Sequence, residues 1–418
     1  MYIVRASNGT VREIKEPYRN LVKFGKCIEE ARSKVREDLL DSALEIARYV
    51  KKMHQIVNRG HRIIPVPSED VAQLFFSAGC PPESLGADLL GAFDKVGSFL
   101  GSHGIFLKVL LEDGELHYIV GRAIQNPFSM NGHSPILVDI VEATFEVQTG
   151  IHFPDNSSAV FLNFLFTEHS RVGRILSLLD SEGGGPELQR QIKKAIKLAS
   201  KDSISTQEVV AFAKEFGSES EVEHSRAITI LADVRYFVLG LKKKGFSLTL
   251  HTEEELRASL PYLARTNLAS VIAHEWFHSS DLAFHNSKNR EIDHVIFERN
   301  GVLAKILYSE CPELEFSEVF GVLLFGIPES EMGRNTVLGY KSCMEEIKDG
   351  VMGNPPDSSK IPEFFGMDGK RLGYFALLAA VKYYLYEFGE TPDFIVHCGQ
   401  IARKLELASQ EIIPAVQR

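Results

Sequence analysis

Val271-Ile272-Ala273-His274-Glu275-Trp276-Phe277-His278 lies at the centre of a stretch, residues 267–285, that reads as one helix. The flanks are apolar and uncharged, so the helix belongs in a core, and imidazoles carried into a core need a partner. Any fold open to this chain has to surround that helix and answer those two histidines. Residues at i and i+4 share one helical face. His274 and His278 can therefore offer two ring nitrogens to a single metal ion, with Glu275 beside them. The plainer alternative is a pair of core histidines satisfied by backbone carbonyls.

This H-E-x-x-H helix resembles the active-site helix of the zincin metallopeptidases. The resemblance implies that His274 and His278 bind Zn2+ through imidazole nitrogens and that Glu275 is the general base. Subfamilies differ in the third ligand. The gluzincin type takes a glutamate from the next helix, and its thermolysin-like members place it twenty residues after the second histidine. Glu298 stands at that spacing. It falls within residues 290–307, where Ile292, Val295, Ile296, Val302, Leu303 and Ile306 predict a helix, and His285-Asn286-Ser287-Lys288-Asn289 can form the turn that folds it back.

The pattern departs from thermolysin-like enzymes at Val302, where they carry an acidic residue, and the outer partner of one ligand histidine is left unassigned. The metzincin arrangement does not fit. Its third histidine would fall at Phe284, and His285 would lie about 10 Å up the helix. Asp281, one turn beyond His278, is expected to orient that ring or to be solvated. Glu291, His294 or a residue distant in sequence remain alternative third ligands.

A rival metal chemistry uses E-x-x-H pairs, the ligand unit of di-iron carboxylate bundles. Glu275/His278, Glu291/His294 and Glu221/His224 all have that spacing. Against it, few residues separate the first two pairs, and His274 is left without a role. On the zincin resemblance the substrate is a peptide or protein, and a developing oxyanion needs a donor. Tyr340, Tyr374, Tyr383, Tyr384 and His397 are candidates, each equally readable as packing. His133 and His152, beside predicted strands, read as surface or core histidines. A non-catalytic metal-binding or interaction protein that keeps the helix is the second expectation.

The 418 residues, 44% hydrophobic and 24% charged, are enough for more than one core. A net charge of −10 disfavours nucleic acid as partner, and the Lys193-Lys194 and Lys242-Lys243-Lys244 runs read as solvated helix faces. Five scattered cysteines without a C-x-x-C pair suggest isolated thiols in a reducing compartment. With no secretory pattern at the start and no apolar run long enough for a membrane, the expectation is a cytoplasmic protein that does not contact membranes. The oligomeric state is left open.

Helical spacing covers residues 20–58 and 68–99, the latter broken at Gly79-Cys80-Pro81-Pro82. Residues 105–111 and 116–120 predict a β-hairpin through Asp113-Gly114, with further strands over 136–147 and 159–166. Beyond Arg171 the pattern is helical, apart from a β-like run over 246–251 and a loop over 353–359. Thr252-Glu253-Glu254-Glu255 opens a helix that Pro261 is expected to end or kink. The fold expected is a predominantly helical α+β protein with a small antiparallel sheet. Gly183-Gly184-Gly185-Pro186 divides it into an N-terminal α+β domain (1–182) and a mainly helical, zincin-like metal-binding domain (183–418).

Overall fold

Apolar spacing is near four over residues 37–101, two over 105–161 and near four again from 186, and the secondary structure follows it. The computed structural model describes residues 2–5, 11–14, 37–58, 67–80, 89–112, 114–124, 135–144, 150–153, 157–162, 186–217, 220–246, 253–324, 328 and 331–396. The first part holds strands β1 (Tyr2–Arg5) and β2 (Val11–Ile14) and helices α1 (Glu37–Asn58), α2 (Glu69–Ser77) and α3 (Leu89–Gly101). Strands β3 (Ile105–Glu112), β4 (Glu115–Ile124), β5 (Ile136–Ala143), β6 (Gly150–His152) and β7 (Ser158–Phe161) follow. The rest is helical: α4 (Pro186–Ala199), α5 (Thr206–Phe216), α6 (Glu221–Lys243), α7 (Glu253–Ser287), α8 (His294–Tyr308) and α9 (Pro312–Leu324). After these come α10 (Glu331–Met352), α11 (Ile361–Phe365), α12 (Gly369–Phe388) and α13 (Asp393–Val396). The protein is thus a predominantly helical α+β fold. None of the described helices is long and apolar enough to cross a membrane.

The strands form one sheet in the order β2-β1-β5-β4-β3, with β7 also beside β5 and β6 paired to β7. The sheet is mixed rather than wholly antiparallel, because β5 pairs in parallel with both β1 and β7. The expected hairpin is present, with Leu107 opposite Val120 and Gly114 at a φ of 76° in its turn. Strand alternation sends Leu107, Tyr118 and Val120 to one face, where they meet Leu40, Ala47, Val50, Phe75 and Phe93 of α1–α3. The neighbours Phe106, Ile119, Val138 and Ile140 point to the other face and pack with Phe153 and Phe161. Leu137, Val160 and Leu162 join the large core built by the later helices. The boundary expected at 182/183 and the β-like run over 247–251 fall outside the described residues.

In that helical core Arg235 of α6 is buried and donates to the carbonyls of Phe365, Ala199, Lys201 and Asp202. Helix α7 continues through Pro261, so the proline does not end it. Proline removes only the hydrogen bond to the Arg257 carbonyl, and the rest of this 35-residue helix remains. Its residues 266–281 are almost wholly buried, with Leu268, Val271, Ile272, Ala273, Trp276 and Phe277 in the core. It lies against α8 on one side and against β6 and β7 on another. A turn through Asn289, at a φ of 52°, reverses the chain. Helix α8 begins at His294 rather than near Arg290, because the Asp293 carboxylate caps the backbone N–H groups of Val295 and Ile296.

Candidate metal centre

The reversal between α7 and α8 brings His274, His278 and Glu298 together. The two Nε2 atoms are 2.8 Å apart. Glu298 Oε2 is 3.6 Å from His274 Nε2, and its Oε1 is 3.8 Å from His278 Nε2. Bonds of zinc length to a tetrahedral ion would separate such atoms by about 3.4 Å, and the three distances straddle that value. Among the described residues this is the only group of three or more His, Cys, Asp or Glu side chains gathered closely enough to hold a metal ion.

The charges favour a cation at that point. Burial, reinforced by the nearby Lys305 charge, lowers the pKa of His274 to about 3. Burial, with His274 beside it, also holds His278 well below its usual range. Both rings are neutral at neutral pH, so neither forms an ion pair with Glu298. A proton shared between the two Nε2 atoms would satisfy them and leave the carboxylate facing them with nothing between. A cation satisfies all three, and two imidazoles with one carboxylate are a donor set that zinc takes. Glu275 is buried beside them, with Oε2 lacking a hydrogen-bond partner. Burial first, and then the negative Glu298, push its pKa well above the ordinary carboxylic range.

Three glycines make room for these side chains. A Cβ on Gly301 would stand 2.6 Å from His274 Cε1 and 2.7 Å from His278 Cε1. A Cβ on Gly339 of α10 would stand 2.5 Å from Glu298 Cβ, and one on Gly150 of β6 would run into Glu275 Oε1. Every member of the cluster therefore has a bare backbone against it, supplied by a different element in each of the three cases.

Around the cluster lie two buried polar groups. On the α9–α10 side, Lys305 Nζ donates to Glu318 Oε1 at 2.7 Å and meets the Tyr340 hydroxyl at 2.8 Å. Burial alone would lower the Lys305 pKa, but the Glu318 carboxylate and Tyr340 outweigh it and the net shift is upward. On the α12 side, Asp281 accepts from Tyr384 (2.6 Å), Asn300 (2.9 Å) and the His285 ring (3.0 Å). Asp281 is thus neither solvated nor bonded to His278; it joins α7 to α8 and α12. Both Nδ1 atoms of the cluster histidines lack a partner within hydrogen-bond geometry, although the Gly301 backbone lies close enough to His274 to raise its proton affinity slightly. Val302, where an acid was missing from the sequence pattern, is buried in the core.

The other expected ligands are elsewhere. Glu291 and His294 are exposed, and Glu221 sits at the exposed start of α6. None of the three E-x-x-H pairs gathers with another. His285 bonds to Asp281 and Tyr383 rather than to the cluster. His133 and His397 lie outside the described residues.

His152, read from the sequence as a surface or core residue, is brought to the site instead. Its ring centroid is 6.0 Å from that of His278 and 5.6 Å from Phe297, which in turn stacks on His278 at 3.9 Å. Gly150 and His152 are two apart on β6 and so share the strand face turned to α7. No periodic signal marks a three-residue strand, and His152 is separated from Ser279, which it contacts, by 127 residues. No family model matches this chain, and neither a curated protein nor a solved structure does.

Proposed function

We propose that this chain is a zinc-dependent hydrolase of peptide bonds, with His274, His278 and Glu298 holding the ion and Glu275 acting as general base. The observation that carries the proposal is the convergence of three lone-pair-bearing atoms within 4.8 Å of one another, with a buried carboxyl next along the helix. Zinc held by such a set acidifies a water toward neutrality and polarises a carbonyl. The other steps belong to the chain. Neutral His274 and His278 keep their Nε2 lone pairs available, and Glu298 contributes anionic charge. Glu275, next to His274 along the helix, takes a proton from water and returns it to the leaving nitrogen.

A peptide as substrate follows from the resemblance of the motif helix to zincins, an analogy of family rather than of site chemistry. The net charge of −10 supports a partner other than nucleic acid. Free, buried Cys80, Cys311 and Cys343 support a reducing compartment such as the cytoplasm. A second reading, a metal-binding protein without turnover, draws on the depth of the site, where His278 is 2% and Glu275 3% exposed.

The test is elemental analysis of the purified full chain together with hydrolysis of a mixed peptide library. One zinc per chain is expected. Glu298→Ala should weaken metal binding, and Glu275→Gln should keep the metal and abolish hydrolysis. Absence of stoichiometric metal overturns both readings, and zinc without hydrolysis by the unaltered chain leaves the second. Two irons per chain would point to the di-iron chemistry instead.

A further inference from the structure

Hydrolysis of an amide needs a donor for the carbonyl oxygen as it becomes negative. The tyrosines considered from sequence are engaged or remote. Tyr340 serves Lys305 and Glu318, Tyr383 bonds to His285, Tyr384 bonds to Asp281, and Tyr374 is 62% exposed on the outside of α12. The side chain that does stand beside the cluster is His152.

The hydrogen bonds around His152 decide which of its nitrogens carries the proton. Its Nδ1 is 2.9 Å from Ser158 Oγ and 3.5 Å from Ser279 Oγ. Ser158 has no nearer acceptor for its proton, since Ser279 Oγ is at 3.3 Å and the Glu275 carbonyl at 3.5 Å. Ser279 turns its own proton back along α7 to that carbonyl, at 3.3 Å. Nδ1 therefore accepts from Ser158, and a neutral ring in that state carries its proton on Nε2. Ser158 comes from β7, which pairs with the strand of His152. Its hydroxyl fixes the ring from the side of the sheet.

We infer that His152 is a catalytic residue of the proposed hydrolase, donating from Nε2–H to the carbonyl oxygen of the amide under attack. This rests on the zinc-hydrolase reading and adds a residue to it. In the step, the water oxygen bonds to the carbonyl carbon and one water proton passes to Glu275. The carbon–nitrogen bond then breaks with its electron pair going to nitrogen, which takes that proton as the amine leaves. The second water proton stays with the carboxylic acid product. His152 lends a hydrogen bond to the oxygen throughout and transfers no proton. Ser158 is a positioning residue, acting through the ring.

His152→Phe keeps a ring against Phe297 and removes the donor. Zinc content should be unchanged. Turnover of the peptide library should fall about 10²–10³-fold, the usual effect of deleting such a donor. Binding separates this role from a packing role. A phosphinic peptide, which carries the oxyanion, should bind at least tenfold more weakly, whereas acetohydroxamate, which needs the metal alone, should bind as before. Ser158→Ala, which leaves the ring in place, should show a smaller loss in the same direction and covers the case in which His152→Phe does not fold. Unchanged phosphinic-peptide affinity in both variants overturns the inference, as does an equal loss for both probes. Absence of zinc from the unaltered chain overturns the function itself, and metal analysis alone identifies that outcome.

Discussion

At the scale of single residues, the candidate centre is defined as much by missing atoms as by donors. Gly301 faces two imidazoles that are tied to the buried wall of α7, and a methyl group 2.6–2.7 Å from both rings cannot be absorbed by a flexible side chain. Gly301→Ala is expected to destabilise the fold by roughly 1–3 kcal/mol, the range for overpacking a core. It should also lower metal stoichiometry, measured by elemental analysis beside a thermal melt. Gly339→Ala should act through Glu298, since its Cβ would meet Glu298 Cβ at 2.5 Å and the Arg299 backbone nitrogen at 2.8 Å. A Gly339→Ala protein with full metal content would show that Glu298 can shift without loss of the site. His274, Glu275, His278 and Glu298 were legible in the sequence because helical spacing alone puts the first three on neighbouring positions and a short turn returns the fourth. The glycines were not, because a glycine shows its purpose only when its neighbour in space is known.

At the scale of elements, what holds α7, α8 and α12 in register is a buried polar network that includes His285. His285 bonds to Asp281 and Tyr383, and Arg299 lies over the Tyr383 ring at 4.7 Å while donating to Asn300. Burial would depress the His285 pKa, but its bonds to Asp281 outweigh that and the net shift is upward. A group with a raised folded-state pKa stabilises fully below its unfolded value, about 6.5 for histidine. That contribution is lost as pH rises through the folded value. The stability difference between the unaltered protein and His285→Gln should therefore be largest in mild acid and shrink as pH climbs above about 6.5, as read from urea unfolding at a series of pH values. A difference that grows with pH would contradict the assignment. Helices such as α7 were readable from their spacing, and so was the hairpin of β3 and β4. Helix α7 was nonetheless longer than its signals, since one proline removes too little to end a helix that the surrounding core holds. Strand β6 lay below the length at which alternation can be recognised, and with it went His152.

At the scale of the whole molecule, distant segments are tied together by few side chains. Arg235 takes carbonyls from the end of α4, the turn after it and the end of α11, and no single water could replace it. Arg235→Met should cost roughly 3 kcal/mol or more, since each buried carbonyl that loses its donor costs about 1–3 kcal/mol. Chemical denaturation would measure it, and a loss below 1 kcal/mol would mean that water enters and substitutes. The mixed sheet was not legible for a related reason. Parallel pairing of β5 with β1 and β7 joins strands remote in sequence, and no local pattern distinguishes it from antiparallel pairing.

Trp276 is the only tryptophan in the chain. It lies in the middle of the motif, 1% exposed, edge-on to Tyr308 and Phe394, with no partner for its indole N–H. Light absorbed at the red edge of the protein spectrum is therefore emitted from one place. Emission should be blue in the native protein and move to the red when the contacts between α7, α8 and α13 open. Unfolding confined to the β3–β4 end of the sheet should leave it unchanged. Without any label, the colour of the fluorescence then reports on the neighbourhood of the candidate centre, so its folding can be timed separately from that of the rest of the chain.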